Sequence, residues 1–171
     1  LLSCAPSTNQ YTSIFLLIDS SLQMNLVTGN ANKIIGRWTG IQPMRDTSDW
    51  YHIVLAVDTT QVVESDGIKL WINGVQATLR TGVGEIYNVG EPHSFNNPAY
   101  PHYMNVFSQN PTLYPADCYV SETHMIDGIQ QTGDDFGAFD ANGKWLPIKY
   151  EGAYGTNGYY LDFADSSAFG N

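Results

Sequence analysis

The stretch that decides the fold is residues 46–74, which read DTSDWYHIVLAVDTTQVVESDGIKLWING. Within it, residues 50–58 are rich in β-branched and aromatic side chains and are apolar at both alternating positions, a pattern typical of a strand that is covered on both faces. Residues 68–72 alternate with period two and end at Asn73-Gly74, the pair that most readily takes the positive φ angles of a tight hairpin turn. The pattern therefore predicts a central strand, then a polar surface connection at residues 59–67, then a hairpin.

The remainder of the chain alternates short apolar runs with turn residues. The 16 glycines and 8 prolines are scattered between these runs and favour many turns over long helices. Residues 132–136, TGDDF, predict a helical turn that Thr132 caps, and we expect no other helix. Asn142-Gly143 predicts a second tight turn. Further strands are predicted at residues 1–5, 13–19, 22–27, 33–39, 75–79, 117–128 and 159–163.

Length and composition predict a single all-β domain over residues 1–171. With 43% hydrophobic and 13% aromatic residues, the chain can bury one core. The formal net charge of -10 argues against a phosphate backbone as partner, so no nucleic acid is expected. The longest apolar run, residues 14–18, is far shorter than the roughly 20 residues that span a bilayer, and we expect no membrane insertion. Because the chain opens on Leu1-Leu2-Ser3-Cys4, as if inside a strand, we expect it to be part of a longer polypeptide.

Two groups of motifs resemble known proteins. Residues 50–54 (WYHIV), 68–74 (IKLWING) and 117–122 (DCYVSE) resemble the concanavalin A-like (laminin G-like) jelly-roll family. A later group is similar to modules in long virion proteins of tailed bacteriophages, namely tail fibres, appendages and capsid-attached fibres; its motifs are IDG at 126–128, DFG at 135–137, WLP at 145–147 and YGTNGYYLDF at 154–163. The similarity covers nearly the whole chain and implies a two-sheet antiparallel jelly-roll sandwich. The fold does not define the function, since it hosts lectins, hydrolases and inert spacers alike.

The resemblance also bears on the two cysteines. It implies that residues 1–5 pair near residues 119–125, which would bring Cys4 close to Cys118. Phage proteins, however, assemble in a reducing cytoplasm, and the spacing of the two cysteines matches no metal or redox motif. We therefore expect two small buried thiols, with a disulfide as the alternative.

Catalytic residues are not predicted. Glycoside hydrolysis needs two carboxylates about 5 to 10 Å apart across the scissile bond, and no predicted strand supplies such a pair, because Glu122 and Asp127 fall on opposite faces. Glu122 alone is interpreted as a structural strand residue. His52 and His124 lie on predicted strands and are interpreted in the same way. We expect a protein that is not an enzyme.

Two acidic groups are candidate calcium sites, since calcium takes six to eight oxygen ligands. Asp58, Asp66 and Asn73 are predicted to surround one end of the central hairpin, and Asp162 with Asp165 form the second group. Aspartate and asparagine are also common in turns. We interpret both groups as turn residues and predict no metal and no cofactor.

Sugar binding is the activity that the sequence favours most. A saccharide is held by an aromatic face and by planar amide or carboxylate groups that reach its hydroxyls. The loop at residues 93–103 and an outer sheet face offer such groups, and the predicted ligand-binding residues are Asn96, Asn97, Tyr100, His102, Tyr103 and Trp38.

Together with the resemblance, these residues predict a virion structural module, part of a fibre, an appendage or a capsid decoration, with lectin-like attachment to host surface glycans. Its expected partners are other virion proteins, host carbohydrate and further copies of this chain in a homo-oligomer. Its expected location is the virion surface, outside the cell after release. A purely structural spacer is the alternative, and a polysaccharide hydrolase that depends on Glu122 is a third hypothesis.

Overall fold

The computed structural model of the protein describes residues 2–4, 13–18, 23–30, 33–46, 48–83, 89–90, 102–104 and 118–165. The part so described is mostly β-strand with almost no helix, which confirms the predicted all-β class. Its helical elements are a four-residue helix, α1 (Glu64–Gly67), and a 3₁₀ turn at Gly133–Asp135. Its strands are β1 (Leu2–Cys4), β2 (Ser13–Ile18), β3 (Gln23–Asn30), β4 (Lys33–Pro43), β5 (Ile53–Val57), β6 (Ile68–Ile72), β7 (Val75–Gln76), β8 (Leu79–Val83), β9 (His102–Met104), β10 (Thr123–Met125), β11 (Gly137–Phe139), β12 (Trp145–Pro147) and β13 (Tyr159–Leu161).

The largest sheet has six strands in the order β8-β4-β3-β2-β1-β9, and the pairs that it contains are antiparallel. The four strands predicted in the first forty residues are all present in it. β4 is longer than predicted and runs to Pro43. Its register with β3 shifts between Gln23 and Asn25 and again between Thr28 and Gly29, as β-bulges do.

The pairing of β1 differs from the expectation. β1 lies between β2 and β9, whereas β10 pairs with β13. The prediction that residues 1–5 pair near residues 119–125 is therefore wrong. Cys118 is exposed, so the prediction that it is buried is wrong as well. The side chain of Cys4 lies outside the described part of the structure, and the redox state of the two cysteines stays a prediction.

The central hairpin forms as predicted. β6 ends at Ile72, and the turn residues Asn73 and Gly74 have φ angles of 48° and 74°, as a turn with two left-handed residues requires. Asn73 also extends the ladder by one step, because its backbone N–H donates to the His52 carbonyl at 2.8 Å and its Oδ1 accepts the His52 N–H at 2.8 Å. The returning strand is shorter than predicted: β7 has two residues, and the chain then enters β8 of the larger sheet.

Both faces of the β5–β6 pair are buried, which is what the apolar pattern predicts. The register sets Ile53 opposite Ile72 and Val54 opposite Trp71, so alternate side chains leave the pair on opposite sides. One face packs in a cluster made by Met44, Leu70, Ile72 and Ala77 with Tyr51, Ile53 and Leu55. The other face packs in a cluster made by Val54, Ala56, Trp71, Phe136 and Tyr150 with Ile126 and Tyr154. The C-terminal part of the chain thus covers the second face.

The turns and helices agree in part with the sequence. The 3₁₀ turn lies where residues 132–136 predict it, and the Asp135 Oδ2 accepts hydrogen bonds from the backbone N–H and the hydroxyl of Thr132 at 2.7 and 2.8 Å. The expectation of no other helix is wrong, because α1 lies inside the predicted polar loop. The turn at Asn142-Gly143 is confirmed by a φ of 78° at Gly143 and joins β11 to β12.

The strand predicted at residues 117–128 is largely wrong. Of the described residues 118–128, only Thr123–Met125 forms a strand. Glu122 has a φ of 47°, in the left-handed region that side chains with a Cβ rarely adopt, so an extended strand cannot continue through it. Within the described ranges, no helix is long and apolar enough to cross a membrane.

Candidate functional site

Trp145 connects the C-terminal part of the chain to the central hairpin. It begins β12 and is 8% exposed. Its indole lies directly against Gly74 of the hairpin turn and Gly137 of β11, so that a Cβ on either glycine would overlap the ring. The indole N–H donates to Nδ1 of His52 at 3.0 Å. Two glycines and one hydrogen bond therefore hold this side chain in place.

This hydrogen bond fixes the state of His52. Because an indole N–H only donates, Nδ1 is the unprotonated nitrogen, and the neutral ring carries its proton on Nε2. Burial lowers the pKa of His52, and the nearby His124 lowers it further, while the charge of Glu122 acts in the opposite direction. His52 therefore belongs to the same group of side chains as His124 and Glu122.

An aromatic column is the main feature of this group. We use the term for Tyr154, His124 and Tyr160, whose rings lie nearly parallel. The His124 ring is 4.5 Å from that of Tyr160, with an interplanar angle of 23°, and 6.0 Å from that of Tyr154, with an angle of 13°. His124 Nδ1 and the Tyr154 hydroxyl share a hydrogen bond of 2.9 Å. The register of the β10–β13 pair sets His124 opposite Tyr160, which is why the two rings stack.

The column is supported by the core. His124 contacts Phe136 and Tyr150 at centroid distances of 5.6 and 6.3 Å, and those two rings stack on each other at 4.9 Å. Tyr150 is itself held by hydrogen bonds, since its hydroxyl accepts from Gln131 Nε2 at 3.0 Å and donates to the Ala153 carbonyl at 3.1 Å. The column therefore packs against the buried rings of Phe136 and Tyr150. Burial lowers the pKa of His124, as it does that of His52.

Only the Tyr160 end of the column is open to solvent. Tyr160 is 37% exposed, whereas Tyr154 is half-buried. Two exposed carboxylates flank this end of the strand pair: Glu122 precedes β10 and Asp162 follows β13, just beyond the Thr123–Leu161 pair that ends the ladder. Desolvation raises the pKa of the Tyr160 hydroxyl, and the negative charges of Glu122 and Asp162 raise it further. An exposed aromatic ring and two carboxylates thus lie at the same end of the β10–β13 pair.

The groups at the Tyr160 end of the column can contact both apolar and polar parts of a ligand. An exposed aromatic face stacks on apolar C–H groups, and carboxylates accept hydrogen bonds from hydroxyl or ammonium groups. Glu122 and Asp162 are both exposed, so their carboxylates are accessible to a ligand. Within the ranges that the structure describes, no group of three or more histidine, cysteine, aspartate or glutamate side chains could hold a metal ion.

The sequence-predicted ligand residues lie elsewhere. Asn96, Asn97 and Tyr100 fall outside the described residues, so their role stays a prediction. His102 and Tyr103 belong to β9 rather than to a loop, which corrects that part of the prediction. Trp38 is in β4 and pairs with Leu26 and Thr81. β4 and β9 are separated by four strand steps, roughly 19 Å at about 4.8 Å a step, so Trp38 and His102 do not share a small binding site.

The predicted acidic group at the central hairpin is also corrected. Asp58 and Asp66 flank the loop end of the β5–β6 pair, whereas Asn73 is at the turn end, roughly 17 Å away along a five-residue strand. The Asp58 carboxylate accepts hydrogen bonds from the Thr60 N–H, the Thr60 hydroxyl and Gln61 Nε2, at 2.9, 2.7 and 2.7 Å. These bonds are those of a turn, which agrees with the turn interpretation.

The column was missed at the sequence level. The interpretation of His124 and Glu122 as structural residues considered each of them alone, and Tyr160 was assigned only to a strand. A signal is present in the spacing: His124 and Tyr160 are each the middle residue of a three-residue strand, and Glu122 is two residues before His124 while Asp162 is two residues after Tyr160. What the spacing does not contain is the pairing of the two strands.

Comparison with known proteins does not assign this chain to a family. No protein-family model matches the chain, and no curated protein or solved structure matches it.

Proposed function

We propose that this protein is a virion structural module with lectin-like attachment to host surface glycans, built as a two-sheet antiparallel jelly-roll sandwich. The observation that carries the attachment is the open end of the aromatic column, where the exposed ring of Tyr160 stacks on His124 and the exposed carboxylates of Glu122 and Asp162 flank the β10–β13 pair. The virion context rests on the motifs at residues 126–163. The jelly-roll architecture is supported by the six-stranded antiparallel sheet and by a hairpin sheet that is buried on both faces.

Attachment requires a surface that is rigid before the ligand arrives, because ordering side chains on binding weakens affinity. The rings of His124, Phe136 and Tyr150 give Tyr160 such a support. The module acts by holding its ligand and carries out no chemistry on it. It is a homo-oligomer on the virion surface, so that weak single sites act together.

A glycan array probed with the whole chain tests the attachment. Binding to a defined set of glycans, lost in Tyr160→Ala, is the expected result. Tyr119→Ala is the matched control, since Tyr119 is 91% exposed and forms no part of the column. Tyr100→Ala and Tyr103→Ala test the surface predicted from the sequence. Loss of binding in the Tyr119 variant but not in the Tyr160 variant would contradict the proposed site.

The same array distinguishes a purely structural spacer from a glycan-binding module. A spacer binds no glycan, yet it is incorporated into particles. A hydrolase is a weaker alternative, which one observation favours: Glu122 and Asp162 lie near the same aromatic ring. Incubation of the protein with polysaccharides, followed by measurement of reducing ends, tests it. Polysaccharide turnover that disappears in Glu122→Gln would show that the protein is a hydrolase and not only a glycan-binding module.

A further inference from the structure

We infer that acid releases a flap of the C-terminal part of the chain from the central hairpin. The flap consists of residues 137–147, which form β11, the turn at Asn142-Gly143 and β12. Trp145 attaches the flap to the hairpin, and His52 can hold Trp145 only while its own ring is neutral. The inference does not depend on the proposed glycan attachment.

The flap has one buried side chain. Gly137 is buried but carries no side chain that could anchor it, and among the following residues up to Pro147 only Trp145 is buried. Phe139 is 54% exposed, although its ring meets the Trp145 indole at a centroid distance of 4.9 Å. Segments with few buried contacts are those that open locally. The position of Trp145 therefore decides whether the flap lies against the hairpin turn.

The chain on both sides of the flap is held by other contacts. Phe136 and Tyr150 are each 7% exposed, and their rings stack at 4.9 Å within the cluster that covers the second face of the β5–β6 pair. The Ile148 N–H donates to the Phe136 carbonyl at 3.0 Å, which closes the flap at its base. His52 takes part in none of these contacts. The flap can therefore leave the hairpin while both of its ends stay in place.

The bond between Trp145 and His52 exists in one protonation state only. The indole N–H donates to the unprotonated Nδ1 of His52 at 3.0 Å. A protonated imidazole has two N–H donors and no acceptor, so charging His52 breaks this bond and sets two donors against each other. Gly74 and Gly137 lie directly against the indole and leave it little room to turn. A charged His52 therefore favours the state in which Trp145 has left its place.

The titratable and charged groups around His52 are His124 and Glu122. Burial and the charge of His124 lower the pKa of His52, whereas the charge of Glu122 raises it. His124 titrates in the same pH range, but its hydrogen bond survives protonation, because the Tyr154 hydroxyl can accept as well as donate. Of the two histidines, only His52 must lose a bond when it becomes charged.

The ionisable side chains of the flap itself are Asp140 and Lys144. The Lys144 backbone N–H donates to the Asp140 carboxylate at 2.8 Å and lowers the pKa of that group below its ordinary value of 3.8. Asp140 therefore stays ionised above about pH 5. The pH dependence of the flap rests on His52.

Hydrogen exchange of the whole chain, followed by nuclear magnetic resonance, tests the inference. The chain has four tryptophans, and Trp145→Phe identifies the indole N–H signal of Trp145. Its protection, relative to a free indole at the same pH, should fall by up to about tenfold for each pH unit below 6.5, because opening takes up one proton. Low concentrations of urea should change this protection little, since local opening exposes little surface. The Ala77 amide, bonded to the Leu70 carbonyl at 2.7 Å, serves as the reference for global unfolding and should lose protection steeply in urea.

Variants then assign the release to one histidine. In His52→Gln, the amide oxygen can accept the indole N–H at every pH, so the protection of the Trp145 indole should no longer change about tenfold per pH unit. His124→Gln is the matched control, in which acid should still release the indole. If His52→Gln does not fold, the unchanged chain decides, because the indole signal must shift with the same midpoint as the His52 ring.

Three outcomes would overturn the inference. The first is a Trp145 indole that keeps its protection while His52 becomes charged. The second is acid release that persists in His52→Gln or disappears in His124→Gln. The third is release that urea promotes as steeply as it promotes exchange of the Ala77 amide, because global unfolding would then account for it.

Discussion

The contact between Trp145 and two glycines predicts how strongly alanine at each of these glycines destabilises the protein. In Gly137→Ala, the new methyl group would lie 2.6 Å from the indole nitrogen of Trp145 and closer still to its ring carbons. Gly137 has no positive φ, so the backbone accepts alanine and the effect is steric alone. Gly143→Ala is the opposite case, since Gly143 has a φ of 78° and no atom within 4 Å of its added Cβ. Gly74→Ala combines both effects, with a φ of 74° and the indole in contact.

The expected losses in the free energy of unfolding follow from these contacts. A left-handed conformation costs an alanine about 1–2 kcal/mol, which is the whole effect at Gly143. Overpacking costs about 1–3 kcal/mol, which applies at Gly137, where the buried Trp145 would have to move and release its bond to His52. For Gly74 the two add to about 2–5 kcal/mol.

Urea denaturation, followed by circular dichroism, measures all three variants. The midpoints should fall in the order Gly143→Ala, Gly137→Ala, Gly74→Ala, with little change in the m value. Near-ultraviolet circular dichroism should change in the second and third variants only, because those alone displace an indole. If Gly74→Ala is no less stable than Gly143→Ala, the Trp145 indole does not pack against Gly74. The contact between the C-terminal part of the chain and the hairpin turn would then be refuted.

Three further predictions concern single residues of the site and the hairpin. Burial lowers the pKa of His52 and of His124, so below the ordinary value of 6.5 the unfolded chain binds more protons than the folded one. The free energy of unfolding should therefore be constant just above pH 6.5 and fall as the pH drops from about 6.5 towards the folded pKa values. Urea titrations at several pH values should show this fall. His52→Gln should make the dependence of the unfolding free energy on pH weaker. Glu122→Gly should raise the free energy of unfolding by up to about 1 kcal/mol, and with it the melting temperature, because φ is 47° at this position and glycine adopts that angle without strain. A lower melting temperature would show that the Glu122 carboxylate supports the fold. Asn73→Gly should cost about 1 kcal/mol for the lost side-chain bond to the His52 N–H, and Asn73→Ala about 1 kcal/mol more for its φ of 48°; equal losses would contradict this division.

The elements that the sequence predicted correctly are those that depend on neighbouring residues. β6 and the turn at Asn73-Gly74 lie where the alternation and the dipeptide place them, because strand period and turn conformation are local properties. The turn at Gly143 and the 3₁₀ turn after Thr132 are predictable for the same reason. The two-sided burial of β5 was predictable too, since its apolar residues occupy both faces.

The errors occur where one element depends on a distant one. Residues 117–122 have a strand pattern, but the strand begins only at Thr123, where β13 supplies a partner. Trp38 and His102 were assigned to one activity, yet four strand steps separate β4 from β9. Asp58 and Asn73 were placed together, although they lie at opposite ends of one strand pair. Composition and spacing do not contain these distances.

The sequence by itself determined the β-rich class, the central hairpin and its tight turns, because each follows from contacts between residues a few positions apart. Only the tertiary structure decided the candidate site. The bond between His52 and Trp145 joins residues 93 positions apart, and that between His124 and Tyr154 joins residues 30 apart. Which distant strands become neighbours depends on the packing of the whole chain, and that packing brings the His124 ring beside those of Tyr154 and Tyr160.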